Sequence, residues 1–110
     1  YNLAFTKINE LLTPKVIANS EHVYHQYTLR VLNGKRNDFK SYLSDLGIPT
    51  MIYYPIPMHL QTAYKKFPHV ENAMKVSEEI SRKAISIPMY PSLSKMQIEK
   101  IVELVLDAVN

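Results

Sequence analysis

The stretch Tyr53-Tyr54-Pro55-Ile56-Pro57-Met58-His59-Leu60-Gln61 concentrates the side chains best able to hold a polar, ring-shaped ligand. Tyr53 and Tyr54 offer aromatic faces with phenol tips, and His59 and Gln61 add hydrogen-bonding groups. Pro55 and Pro57 stiffen the backbone between them. Rigid loops just past strand ends present side chains to ligands, so the chemistry expected here is binding. The structural alternative is a loop whose tyrosines cover the core while His59 and Gln61 cap local backbone. Two further side chains qualify as contacts near a cleft. His25 is expected on the apolar face of a strand, either half-buried against a backbone carbonyl or facing a ligand. Arg30, on the opposite face, suits a carboxylate or phosphate, or an ion pair at the surface. His22 and His25 are three apart, so on a strand they point to opposite sides, and no metal site is expected. Pro88-Met89-Tyr90-Pro91 reads as turn chemistry. With two glycines there is no phosphate-cradling loop. Glu78-Glu79 reads as a solvated helix surface, and no serine sits in an elbow motif. Nothing in the chain makes a complete active site.

These side chains need elements to position them. Asn2 to Leu12 reads as a helix with Leu3, Ile8, Leu11 and Leu12 apolar, ended by Thr13-Pro14. His22 to Leu32 reads as a strand with Val23, His25, Tyr27, Leu29 and Val31 on one face, closed by the turn Asn33-Gly34. Asn37 to Leu46 is predicted helical, with Asn37 as its cap, a stripe of Phe39, Tyr42, Leu43 and Leu46, and Gly47 as its stop. Ile48 to Tyr53 reads as a second strand. Met58 to Lys65 can make a helical turn or two, Val70 to Lys83 a longer helix, and Ala84 to Pro88 a third strand. The last helix opens on the capping-box pair Ser94 and Gln97, with Ile98, Ile101, Val102, Val105 and Val109 turned inward. About three strands with helices mainly on one face make a two-layer α+β domain.

Composition agrees with a folded domain. The 110 residues are 46% hydrophobic and 21% charged, values of a globular chain. Without cysteine, disulfides and cysteine-based zinc sites are excluded. No apolar run approaches the roughly 20 residues that span a bilayer, so no membrane partner is expected. The net charge of +3 comes from scattered lysines that read as solvated surface. Nucleic acid is not expected either. An RNA-binding sheet needs exposed stacking aromatics, and Tyr27 shares its face with core residues. The chain opens at Tyr1 inside a predicted helix, which suggests a piece of something longer.

Three segments in order resemble the DegT/DnrJ/EryC1/StrS sugar aminotransferases: residues 22–30 (HVYHQYTLR), residues 47–61 (GIPTMIYYPIPMHLQ) with Ala63-Tyr64 after them, and residues 84–94 (AISIPMYPSLS) before the closing helix. The middle segment is the most specific. The resemblance implies the small C-terminal domain of an aspartate-aminotransferase-like, fold type I enzyme, with residues 1–17 as a helix and connector from the large-domain boundary and 18–110 as the small domain. It implies amino transfer, usually from glutamate, to a nucleotide-linked keto sugar for surface polysaccharide, in a cytoplasmic homodimer. The cofactor, pyridoxal phosphate, and the lysine that carries it would belong to the large domain; no lysine here matches it. Substrate contact is implied for Tyr53, Tyr54 and Pro55, then His59 and Gln61, with His25 and Arg30 near the cleft and none of them catalytic. Many members carry histidine where Tyr53 stands; tyrosine cannot become cationic near neutral pH, and this departure bears on the substrate subclass. The alternatives are a subdomain that only closes and dimerises the enzyme, or an RNA-binding α+β module.

Overall fold

A computed structural model describes residues 1–68, 70 and 73–109. The described elements are α1 (Asn2–Phe5), β1 (Leu11–Leu12), β2 (Tyr27–Val31), α2 (Arg36–Asp45), a short 3-10 turn (Met58–Leu60), α3 (Lys75–Lys83), β3 (Ala84–Ile87) and α4 (Lys95–Asp107). The three strands form one antiparallel sheet in the order β1-β2-β3. Leu29 pairs with Ile85 and Tyr27 with Ile87, so alternation sends these apolar side chains to one face. There they join Phe39 and Leu43 from α2 and Ile101, Leu104 and Val105 from α4 in a single core. This is the expected two-layer α+β arrangement. On the other face, the hydroxyls of Thr28 and Ser86 lie 2.8 Å apart across the β2–β3 ladder.

Several elements formed where local signals were strongest. Ser94 accepts from Gln97 N at 3.3 Å, and the Gln97 side chain accepts from Ser94 N at 2.9 Å. Together they satisfy donors that would otherwise be left open at the start of α4. Gly47 ends α2 at φ +77°, a conformation other residues adopt at a cost.

Other expectations are corrected by long-range pairing. The predicted helix from Asn2 to Leu12 stops at Phe5, and Leu11–Leu12 become a strand opposite Val31 and Arg30. A Leu32 N–H bond to Glu10 O at 2.8 Å extends that edge. Phe5 and Leu11 thereby enter the core, while Leu3 is left in solvent. The strand predicted from His22 begins only at Tyr27. Before it, His22 Nδ1 accepts from Tyr24 N at 2.9 Å, and Tyr24 takes φ +46°, which turns the chain out of extended geometry. Val23 and His25 are therefore exposed and not part of the apolar face. Ile48 to Tyr53 is reduced to one bridge, Met51 with Ser86. Asn37 lies inside α2, whose cap is Lys35; the Asn37 side chain accepts instead from Arg36 Nε at 2.8 Å. In α4, Leu104 is buried, though the predicted stripe passed it over. The helix predicted from Val70 is described as α3 from Lys75; residues 71–72 of that prediction lie outside the described residues.

One buried cation holds the junction between layers. Arg36 Nη1 donates to Ser81 O at 3.0 Å and Ala84 O at 2.8 Å, where α3 runs into β3 without a loop. A guanidinium at a helix C-terminus satisfies open carbonyls and complements the helix dipole. Burial lowers its pKa from the ordinary arginine value.

Two stability outcomes are expected. Leu29→Ala, at a fully buried position, should cost about 3 kcal/mol and Ser94→Ala about 1 kcal/mol in urea unfolding. Burial raises the phenols of Tyr27 and Tyr1 to about 12, with neighbouring tyrosines adding to each shift. The Tyr27 hydroxyl donates to the Asn2 side chain and that of Tyr1 to Pro88 O, bonds that need the neutral form. Folded-state values above the unfolded 10.0 mean that this stabilisation is whole below about pH 10 and lost as pH rises towards 12. A phenolate absorbance titration should show a late-ionising fraction that coincides with unfolding.

Candidate tyrosine cavity

The bridge at Met51 places the start of the proline-containing loop beside β3, and the loop then crosses towards α3. Tyr53 and Tyr54, joined by a cis peptide, meet edge to face with centroids 6.1 Å apart. Tyr53 is 46% and Tyr54 74% exposed, so neither ring serves the core. Both line a cavity of about 470 Å3, with Gln61 and Tyr64 from the same loop and Ser77 and Ser81 from α3. Among the described residues its lining carries no Lys, Arg, Asp or Glu. Three phenols, an amide and two serine hydroxyls set in apolar side chains suit a neutral ligand rich in hydroxyls.

Local bonds explain the loop's shape. Leu60 N donates to Pro57 O at 3.0 Å and Gln61 N to Met58 O at 3.1 Å, forming the 3-10 turn. Gln61 Nε2 donates back to Ile56 O at 3.1 Å, so this residue both shapes the loop and lines the cavity. His59 points away from that cavity into a second one of about 290 Å3, shared with Met58, Tyr64, Phe67 and Ser77. Its Nε2 lies 3.2 Å from Oε1 of Glu78.

The remaining predicted site residues separate. His25 lines a third hollow of about 290 Å3 with Thr50, Ser86 and Tyr90; Tyr53 lines this hollow too and so joins it to the first. Arg30 lies on the exposed side of β2, towards α3. There the Glu79 carboxyl sits below its usual range, first through the 2.6 Å bond from Lys83 Nζ and that lysine's charge, then through Arg30 and Arg82. Pro55 is exposed and shapes the loop without lining the first cavity. Residues that sequence reasoning passed over are Ser77 and Ser81 in the wall and Glu78 beside His59. Glu78 was read with Glu79 as solvated helix surface, and Ser77 and Ser81 are polar positions that no local signal marks as the wall for a folded loop.

The sequence pattern of the DegT/DnrJ/EryC1/StrS aminotransferase family matches residues 1–106. The chain belongs to that family. It is 38% identical over 93 residues to a pleiotropic regulatory protein of Geobacillus stearothermophilus, covering 84% of this chain and 24% of the relative. It is 34% identical over 105 residues to the dTDP-3-amino-3,6-dideoxy-alpha-D-galactopyranose transaminase of Aneurinibacillus thermoaerophilus, covering 96% and 28%. A further relative is named for spore coat polysaccharide biosynthesis in Bacillus subtilis. The fold superposes on S. venezuelae DesV, solved with a ketimine intermediate, at TM-score 0.91 and 25% identity, over 99% of this chain and 29% of that one. The chain thus spans about a quarter of the length of the relatives it matches.

Structures similar to this family member have been solved with pyridoxamine phosphate or in a pyridoxal phosphate form. Pyridoxal phosphate needs a lysine amine for its aldehyde and donors or cations for its phosphate. With no lysine or arginine in its lining, the tyrosine cavity does not supply that set.

The exposure of the rings has a direct readout. Tetranitromethane should nitrate Tyr54 first, Tyr53 and Tyr90 together after it, and leave Tyr27, 2% exposed, unmodified in the native chain. Peptide mapping after brief exposure checks the order.

Proposed function

We propose that this chain is the small, substrate-facing domain of a longer pyridoxal phosphate-dependent enzyme that moves an amino group from glutamate to a nucleotide-linked keto sugar. The observation that carries the reading is the pair Tyr53 and Tyr54, turned out of the core into an open, uncharged cavity on a chain of this family. Aromatic faces beside neutral hydrogen-bonding groups match a sugar ring, which offers C–H faces and hydroxyl edges. Bound pyridoxal phosphate supplies the electron sink for amino transfer; the lysine that carries it and the phosphate-binding groups come from the rest of the enzyme. This chain's part is to orient the sugar and keep water out.

In that assignment Tyr53 and Tyr54 contact the sugar, Gln61 holds the loop and reaches the cavity, and Pro55 sets the turn. His59 acts from the adjoining hollow, and His25 approaches through the hollow shared with Tyr53. Arg30 lines neither the tyrosine cavity nor the hollow of His25, and faces the cleft only in the assembled enzyme. Residues 1–17 lead in from the large-domain boundary and 18–110 make the small domain, with Phe5 and Leu11 sealing its core. The enzyme works as a cytoplasmic homodimer and feeds surface polysaccharide synthesis. The exposed apolar side chains of Ile56, Leu60, Phe67, Val70 and Val76 favour a second reading, a subdomain that only closes and dimerises the enzyme.

Tyr54→Ala in the longer enzyme separates the two. Loss of an aromatic contact worth about 1.4 kcal/mol should raise the KM for the sugar nucleotide about tenfold. The cofactor's visible absorbance should remain unchanged. An unaltered KM would support the closing and dimerising role instead.

A further inference from the structure

Among the described residues, the segment that carries the tyrosines makes few hydrogen bonds to other elements. On its upstream side, Met51 and Ser86 exchange two backbone bonds of 3.0 and 2.7 Å. Beyond them, the bonds of residues 52–68 close largely within the segment, as with Tyr64 N to Gln61 O at 2.9 Å. Among the described residues, one hydrogen bond carries this segment to another element, and it joins His59 to Glu78 on α3. A carboxylate only accepts, so the imidazole presents its Nε2–H. The side chains are 12% and 33% exposed, so water competes weakly for the bond.

Glu78 is itself held firmly. Its N–H donates to Met74 O at 3.0 Å, and Ser81 Oγ donates to its carbonyl at 2.8 Å. Ser81 O in turn accepts from the buried Arg36. Arg82 Nη1, one turn on, lies 3.8 Å from the second carboxylate oxygen, an exposed pairing of little consequence. On the loop side, His59 sits between Met58 and Leu60, two residues before Gln61, and Met58 and Gln61 both line the tyrosine cavity. A carboxylate on a fixed helix thus grips the middle of a loop whose other hydrogen bonds, among the described residues, close largely within itself.

We propose that Glu78 is a positioning residue for the tyrosine cavity: through His59 it fixes the 3-10 turn on α3 and so sets where Tyr53, Tyr54 and Gln61 stand. This rests on the reading that the cavity receives the sugar. Glu78 touches no substrate. Its contribution is to make the loop's bound shape the resting shape, which saves ordering entropy on binding.

Two variants test it. Glu78→Ala removes the acceptor, and Glu78→Gln keeps an acceptor oxygen at similar reach. In the 110-residue chain, hydrogen exchange at Leu60, Gln61 and Tyr64 should quicken about tenfold in Glu78→Ala and return near the native rate in Glu78→Gln, with Leu29 and Ile85 unchanged. In the longer enzyme, with the dTDP-amino sugar of the Aneurinibacillus relative as probe, Glu78→Ala should raise KM about tenfold and alter kcat less than about twofold, with Glu78→Gln restoring KM. Val105→Ala, a core change, should lower the melting temperature without moving KM, which separates positioning from general destabilisation. If Glu78→Ala leaves exchange and KM at native values while Tyr54→Ala raises KM, the positioning role is wrong and the cavity reading stands. If Tyr54→Ala leaves KM unchanged, the cavity reading falls and the positioning role with it. Failure of Glu78→Gln to restore what Glu78→Ala loses would overturn the hydrogen bond as the cause.

Discussion

Everything in this domain depends on β3 being buried on both faces and paired along both edges. Its four residues, Ala84–Ile87, are all buried. One edge carries the ladder to β2 and the other the single bridge to Met51. Each backbone group that leaves water must find a partner, and here those partners come from segments more than 30 residues away in sequence. The strand continues from α3 without a loop, and Arg36 clasps the carbonyls at that junction. The position of β3 therefore dictates the position of α3, and α3 is the wall against which the tyrosine loop folds.

The site divides into a wall and a flap with different origins. The wall, Ser77, Ile80 and Ser81, inherits its rigidity from the α3–β3 junction. The flap, Tyr53 to Tyr64, is shaped by prolines and by hydrogen bonds within itself. Neither contributes a formal charge to the cavity between them. A cavity lined by neutral groups avoids the desolvation cost of a buried ion. Such a lining fits a family member that spans about a quarter of its relatives' length.

What could be read from the sequence follows the range of the deciding interaction. The Ser94–Gln97 capping box and the Gly47 stop are set within a few residues and appear as read, whereas of the stripe read as Phe39, Tyr42, Leu43 and Leu46 only Phe39 and Leu43 are buried and Tyr42 and Leu46 stay exposed. Leu11 and Leu12 have good helix propensity, yet they become strand because Val31 and Arg30 offer ladder bonds. Tyr24 breaks the alternation read through His25, since a histidine nitrogen two residues away captures its amide. The tyrosine pair was visible because two prolines flank Ile56. Ser77, Ser81 and Glu78 were not visible, because only the folded loop gives them a neighbour.

The absence of a connecting loop between α3 and β3 reaches beyond stability. Because the wall is anchored in the sheet and the flap largely in itself, mutation can reshape one without unsettling the other. Tyr53 and Tyr54 both lie outside the core, so replacing them leaves its packing in place. Substitutions in the loop can therefore change what lines the cavity while the sheet and its core are inherited intact.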